Sequence, residues 1–508
     1  MTLLCLADKV AAVTFVDIWE YRVEGNTLLS TPVISRVLTP YLGVARTVDD
    51  INKAAAALQQ EYRNLGFATV FVGIPEQDVV NGVVKLQVTE TRVRRVTISG
   101  SNYFTLSGIR RNVPSLMEGQ TLNIAALQSD LQHANQANKD LKMVPLVEQG
   151  PTNKSVDVEL SVDDTLPLHG GLSVSNYNTE GTTPTRLSAE LSYGNLWQKN
   201  HEVSFQAQTS PENTDEVQVL ATSYTLPIGD NGNKLAFYAV SSNSDLATVS
   251  DVTVIGDGTI AGFRYVVPFV QSARAVHSFS LGGDYKNFKE DLRLGDGTTQ
   301  KTPIDYTVWS AMYNMYAREQ SITDVFSAGL SFGIRGIAND GNQFNNKRAV
   351  ATPNFALLSL DWKRTYQLGA GWSASHRLRA QLADEPLVSN EEFSAGGSGS
   401  VRGYYEAQTQ GDYGWIANLE LTTPNMGRDL PAFDSLHGTL FFDASRVRLH
   451  DAAIGQQSDF ELQSAGLGLD AQLLKTFRLN VHSGYAFKES GTIEKGNVRT
   501  RARLSMEF

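Results

Sequence analysis

The sequence predicts two small α+β modules followed by a membrane β-barrel of about sixteen antiparallel strands. Three observations carry this. A β-α-α-β-β order occurs twice in the first third, with Gly25 and Gly100 marking a period of 75 residues. From Leu168 to Phe508 helical periodicity gives way to alternation of apolar and polar residues. No run reaches the roughly 18 to 20 consecutive apolar residues of a membrane-spanning helix, so a chain like this crosses a bilayer only as a closed barrel.

The bulk numbers agree. A chain of 508 residues is too long for one ordinary domain. Hydrophobic residues make up 41% and charged residues only 19%, and the 42 glycines concentrate in the last two thirds. The net charge of -11 argues against nucleic acid as a partner. Cys5 is the only cysteine, so no intrachain disulfide forms, which suits a cytosolic and a bacterial outer-membrane protein equally. The stretch Met1 to Phe15 lacks a basic flank and is interrupted by Asp8 and Lys9, which makes a poor signal peptide. Leu3-Leu4-Cys5 lacks the residues that precede a lipoprotein cleavage site. The expectation is a trimmed or misassigned start.

The first module spans residues 14–91. Phe15 to Val23 reads as a strand ending at the turn Glu24-Gly25-Asn26. Ser30-Thr31-Pro32 opens a short helix, with the cap residue followed by an early proline. Thr47-Val48-Asp49-Asp50 caps a longer helix, Ile51 to Leu65. Its stripe is Ile51, Ala54, Ala55, Leu58 and Tyr62, and Gly66 ends it. Phe67 to Ile74 and Gly82 to Thr89 are strands. The second module, residues 92–164, repeats this with a strand at Val93 to Ile98 and helices from Leu106 and from Ile124 to Lys139. Strands at Met143 to Glu148 and Ser155 to Val162 close it.

The barrel occupies residues 165–508. In Arg186 to Tyr193 the residues Leu187, Ala189, Leu191 and Tyr193 alternate with Arg186, Ser188, Glu190 and Ser192. Trp415 to Thr422 behaves the same way. The last strand sets Val498, Ala502, Leu504, Met506 and Phe508 against Arg499, Arg501, Arg503, Ser505 and Glu507. A wet lumen accommodates such a charged face. Segments begin near Leu168, Thr185, His201, Glu216, Lys234, Thr259, Ala275, Pro303, Ile322, Pro353, Trp372, Tyr413, Leu436, Asp459, Thr476 and Val498. Some connections read as short (Pro211-Glu212-Asn213, Gly229-Asp230-Asn231-Gly232). Others read as long (Leu246 to Gly258, Asn339 to Val350, Asp384 to Asp412). Trp197, Tyr224, Trp309, Trp362 and Trp372 read as lying near strand ends, where an aromatic girdle sits.

The longest loop carries Phe393-Ser-Ala-Gly-Gly-Ser-Gly-Ser-Val401-Arg402-Gly403-Tyr404. Glycine and serine let this backbone fold tightly around one arginine. Further on, Leu440-Phe441-Phe442-Asp443-Ala444 places an acid inside an apolar strand. The register turns Thr439, Phe441 and Asp443 to the lumen and Leu440, Phe442 and Ala444 to lipid. A pairing of Arg402 with Asp443 accounts for both residues.

Together these features closely resemble the outer-membrane transporters of two-partner secretion, the haemolysin activation/secretion and filamentous haemagglutinin transporter family. The modules resemble polypeptide-transport-associated (POTRA) domains. The resemblance covers Thr14 to Phe508, and Val401-Arg402-Gly403-Tyr404 with Phe441 and Asp443 carries it most specifically. It implies periplasmic modules that bind an unfolded exoprotein with an N-terminal secretion domain, partly by lending a sheet edge. It also implies a loop arginine paired with a lumenal aspartate, an outer-membrane lipid setting, and insertion by the barrel-assembly machinery. The terminal Phe508 resembles the aromatic signal of outer-membrane barrels. Many members begin with a helix that plugs the barrel; about a dozen residues precede the first strand here, so the plug is absent or the start incomplete.

No catalytic constellation emerges. The eight histidines form no His-Glu-x-x-His pair, and Gly396-Gly397-Ser398-Gly399-Ser400 lacks hydrolase-elbow spacing. Asp163-Asp164 and Glu391-Glu392 read as solvated acids at element ends. The expectation is a transporter without enzymatic activity, metal or cofactor. Its alternatives are a factor that inserts other barrels, which usually carries more POTRA domains, and a passive porin, which needs none.

Overall fold

The structure is a computed structural model that describes residues 15–229, 231–249, 252–272, 274–289, 291–293, 299–337 and 339–508. The sequence features of residues 1–14, and Asp230 in its turn, lie outside these. The chain divides into two units between Leu166 and Pro167.

In the first unit each module lays its helices on a small mixed sheet. Glu20–Glu24 pairs in parallel with Val83–Thr89, which pairs antiparallel with Phe71–Gly73. Arg92–Ser99 pairs in parallel with Ser155–Asp164, which pairs antiparallel with Leu141–Gln149. The expected first strand is split: Val16–Ile18 breaks off to pair with Gly43–Arg46, a short strand the helical reading passed over. Helix Val48–Asn64 starts on a full capping box between Thr47 and Asp50, and its stripe Ile51, Ala54, Ala55, Leu58 and Tyr62 is buried. The repeat reaches individual atoms. Gly25 and Gly100 both have φ +83°, and a Cβ there would lie 2.4 Å from the Val88 carbonyl oxygen and 2.3 Å from that of Val162.

One acid in this unit corrects the sequence reading. Asp164 is buried, not solvated. Its carboxylate accepts from the backbone N–H groups of Asn102 (2.9 Å), Tyr103 (2.8 Å) and Phe104 (3.0 Å). Burial pushes its pKa up, but these donors outweigh burial and hold it below the usual carboxylate range.

The second unit is a closed barrel of sixteen strands. The first, Leu168–Ser175, pairs with the second, Arg186–Leu196, and with the last, Val498–Glu507. Closure removes the unpaired edges that a bilayer does not tolerate. Leu187, Leu191, Leu440 and Leu504 point outward and exposed, whereas Arg186, Asp443 and Arg501 are buried inside. Among the described residues no helix is long and apolar enough to cross a membrane.

Two connections differ from expectation. Leu246 to Gly258 is no long loop; strands Asn233–Val249 and Val252–Gln271 run on and pair through Val249 and Val252. The β-branched residues Thr248, Val249, Val252, Thr253 and Val254 sustain that extension. The turn at Pro211-Glu212-Asn213 belongs to the same barrel end as the loops 334–355, 384–412 and 487–497. At the other end, where turns are shorter, Phe508 exchanges both backbone hydrogen bonds with Gly170, at 3.0 and 3.1 Å. Trp197 and Trp372 also lie at that end, but Trp309 and Trp362 sit inside their strands. Trp309 stays there because Gly283 leaves room beside it and Phe263 meets its ring edge-on.

Candidate functional site: a loop tip pinned to the barrel wall

The loop from Asp384 to Asp412 leaves strand Trp372–Ala383 and returns into strand Tyr413–Thr422. Its middle is folded by its own short-range contacts. Phe393–Ala395 pairs with Thr409–Gly411. The Gly397 N–H donates to the Val401 carbonyl at 3.1 Å, and the Gly396 N–H to the Ser400 hydroxyl at 2.8 Å. Glu406 accepts from the Ser398 N–H at 2.8 Å. These bonds spend the polar groups of a glycine-serine segment on itself, so a compact tip projects Arg402.

The acid waits on the wall. Asp443 lies on the inward register of strand Phe433–Arg448, where Phe441 and Asp443 are buried and their neighbours Leu440 and Phe442 are 55% and 43% exposed. It is five residues from the strand end at Arg448. At about 3.3 Å per residue that is roughly 17 Å along the tilted strand from its end.

Arg402 meets it with a two-pronged contact. Nε lies 2.8 Å from Oδ2 and Nη2 lies 2.8 Å from Oδ1, while the Arg402 backbone N–H donates to Oδ2 at 3.0 Å. The guanidinium plane lies 3.6 Å over the Phe441 ring. Asp443 is 0% exposed and Arg402 9%. The planar fork suits a carboxylate in a way that a lysine ammonium does not.

Two partners escaped the sequence reading. Nη1 of Arg402 reaches Glu420 Oε1 at 2.7 Å, and Asn418 donates to Asp443 Oδ1 at 2.7 Å and to the Ser400 carbonyl. Both stand on the inward face of Tyr413–Thr422, next to the Asp443 strand. Their alternation is visible in the sequence; their convergence on the Arg402–Asp443 pair is not.

The flanking tip residues are also seated. Val401 is buried with Tyr404, Ile416, Val447 and Leu462. The Tyr404 hydroxyl lies 2.8 Å from the Lys488 carbonyl and 3.0 Å from that of Gln463. Arg501 of the last strand donates to the Tyr404 carbonyl at 3.3 Å and to Asn178 Oδ1 at 2.8 Å. Gly403, at φ +98°, passes directly over Gly484, a strand glycine with no distinguishing mark in the sequence. A Cβ on Gly484 would lie 2.7 Å from the Gly403 nitrogen. Thus Val401, Arg402, Gly403, Tyr404, Phe441 and Asp443 converge, while Phe508 lies at the opposite end of the barrel. Among the described residues no cluster of His, Cys, Asp or Glu could hold a metal.

Known proteins share this architecture. The family model described as "Haemolysin secretion/activation protein ShlB/FhaC/HecB" matches residues 154–471, and "POTRA domain, ShlB-type" matches residues 16–91. The outer membrane transporter CdiB of Dickeya dadantii (strain 3937) is 22% identical over 406 residues, 79% of this chain and 71% of its own. Its namesake in Escherichia coli is 21% identical over 415 residues, 79% of this chain and 68% of its own. Among solved structures, CdiB from Escherichia coli gives a TM-score of 0.69 at 17% identity, over 100% of this chain and 93% of that one. BamA from Haemophilus ducreyi lacking POTRA domains 1-3 gives 0.58 at 13% identity, over 97% of this chain and 100% of that one. At such identities these structures speak for the fold.

Proposed function

The chain belongs to the haemolysin secretion/activation protein family (ShlB/FhaC/HecB), and from that premise we propose that the Arg402–Asp443 pair sets the position of a lumenal loop past which an unfolded exoprotein is exported. The protein is an outer-membrane transporter of two-partner secretion, with its POTRA modules in the periplasm. Those modules join the barrel chain at Pro167, the short-turn end, so the long loops face the cell surface.

The observation that carries the reading is a surface loop folded back deep into the barrel and fastened there by a buried charge pair. A solute porin has no need of periplasmic modules, and a barrel-inserting factor is favoured only by a likeness of fold. The client is an exoprotein with an N-terminal secretion domain, captured in the periplasm as extended chain. Its unpaired backbone groups are satisfied by a sheet edge without demand for sequence. The edge strand Leu141–Gln149 suits this, with Val144 and Leu146 exposed along it. Client folding outside biases the direction, so ATP is not required at the membrane. Outer-membrane lipid surrounds the apolar belt, and the barrel-assembly machinery inserts the barrel by way of Phe508.

The test is secretion of the partner exoprotein by cells carrying wild type, Arg402→Ala or Asp443→Ala, with folding checked by heat-modifiable gel mobility. Loss of secretion from folded barrels is expected. Normal secretion by both variants would overturn the role given to the pair.

A further inference from the structure

A second, half-buried arginine holds the same loop at its base. Arg348 lies in the loop 334–355, just after the short helix Gly341–Lys347. Its Nη1 is 2.6 Å from Asp412 Oδ1 and its Nη2 is 2.9 Å from Asp412 Oδ2. Nη1 also reaches Glu392 at 3.0 Å and the Leu387 carbonyl at 2.7 Å, and Nη2 the His450 carbonyl at 2.8 Å. Asp412 is 0% exposed. The neighbouring Glu391 is bound by Lys286 and by the Tyr306 hydroxyl, each at 2.6 Å. Glu391-Glu392, expected to be solvated, is instead part of a buried ionic seam, because two cations from separate elements reach it.

Beneath this seam the inner wall changes character. Val219, Val240, Ile260, Phe288, Tyr306, Val308 and Leu357 form an apolar collar along part of the inner wall near its loop end. Water does not favour bare apolar wall. It is covered by Phe344 of the helix and by Ala351, Phe355, Leu387 and Val388. The Phe344 ring meets Tyr306 edge-on at 5.3 Å. The rest of the helix is polar, so its seat rests on one ring, on the Gln343–Asp305 hydrogen bonds at 2.9 and 3.0 Å and on one neighbouring arginine.

We propose that the Gly341–Lys347 helix is a cap on the outer mouth of the channel, latched by Arg348 to Asp412 and Glu392, and that the cap is displaced when a client passes. Collar and cap are complementary apolar surfaces. The latch is charged and the seat small, so the two separate without unfolding the barrel wall. The inference rests on the transporter reading.

Two experiments test it in the full chain. In planar bilayers, Arg348→Ala is expected to raise the mean single-channel conductance about twofold, since a displaced cap leaves more of the outer mouth open to ions. Second, in a Cys5→Ser background, Asp305→Cys and Gln343→Cys are joined by a short, reducible thiol cross-linker; the native side chains approach to 2.9 Å. Cross-linked cells are expected to lose secretion about tenfold or more, with recovery on reduction, because the closed state is then held regardless of the client. Wild-type conductance from Arg348→Ala, or full secretion through the cross-linked channel, would overturn the cap. Wild-type cells that export no partner would count against the transporter reading instead, and the conductance result would then decide the cap alone.

Discussion

The 384–412 loop is fastened at two points, and the fastenings differ in what they hold. At the tip, Arg402 joins the loop to Asp443 on a barrel strand, backed by the Phe441 ring and by Glu420. At the base, Arg348 joins loop to loop, through Asp412, Glu392 and two backbone carbonyls. Both aspartates are fully buried. A strand inside a closed barrel is held by neighbours on both sides and does not shift, so the tip pair fixes the loop to the wall deep in the lumen. The base contacts join two loops to each other. Similar chemistry therefore serves position in one place and closure in the other.

The largest effect that would separate them is Arg402→Ala. It leaves Asp443 buried with only the Asn418 amide and backbone, a loss of about 3–5 kcal/mol in a dry site and less in a wet one. Secretion is expected to fall at least tenfold, with heat-modifiable mobility unchanged. Gly484→Val comes next. It places side-chain atoms where the Gly403 backbone lies, so the tip cannot seat although every charge is present; secretion should again fall, and protease should cut the displaced loop. Asp443→Asn is milder, because Arg402 keeps Glu420 at 2.7 Å. Partial secretion is expected, and a defect as deep as that of Arg402→Ala would break the ranking. Arg348→Ala should leave secretion within about twofold, since it unlatches without unseating the tip.

The smallest effect lies outside the barrel. Asp164 is a buried acid held mainly by backbone donors, with the Ser101 hydroxyl beside them, and its pKa is lowered in the folded state. Its stabilising contribution is full above the unfolded carboxylate pKa and is lost as pH falls through the lowered native value. Hydrogen exchange of the Asn102, Tyr103 and Phe104 amides should show protection that fades on acidification. Asp164→Asn should abolish that pH dependence.

How far these features could be read in advance follows from their physics. Strand alternation is local, so the sixteen barrel segments, and the inward register of Phe441 and Asp443, were visible in the chain itself. Arg402 stood out because it is the one charge in a glycine-serine stretch. Arg348 did not, because it follows a polar helix with no periodicity and meets an acid 64 residues away. Glu391-Glu392 looked solvated for the same reason: only the folded mouth brings Lys286 and Arg348 to them. Gly484 was unreadable, since a glycine inside a strand declares its purpose only when another backbone is seen to cross it. The hairpin at Val249 and Val252 was mistaken for a loop because its polar residues hid a β-branched run.

The most direct test is where the tip resides. In a Cys5→Ser background, Ser400→Cys places a thiol at a buried position beside Arg402. Whole cells are treated with a bulky, membrane-impermeant maleimide, with and without Arg402→Ala. The account predicts little labelling when Arg402 is present and strong labelling when it is absent. Equal labelling in the two backgrounds would mean that Arg402 does not hold the loop in the barrel, and would contradict the account.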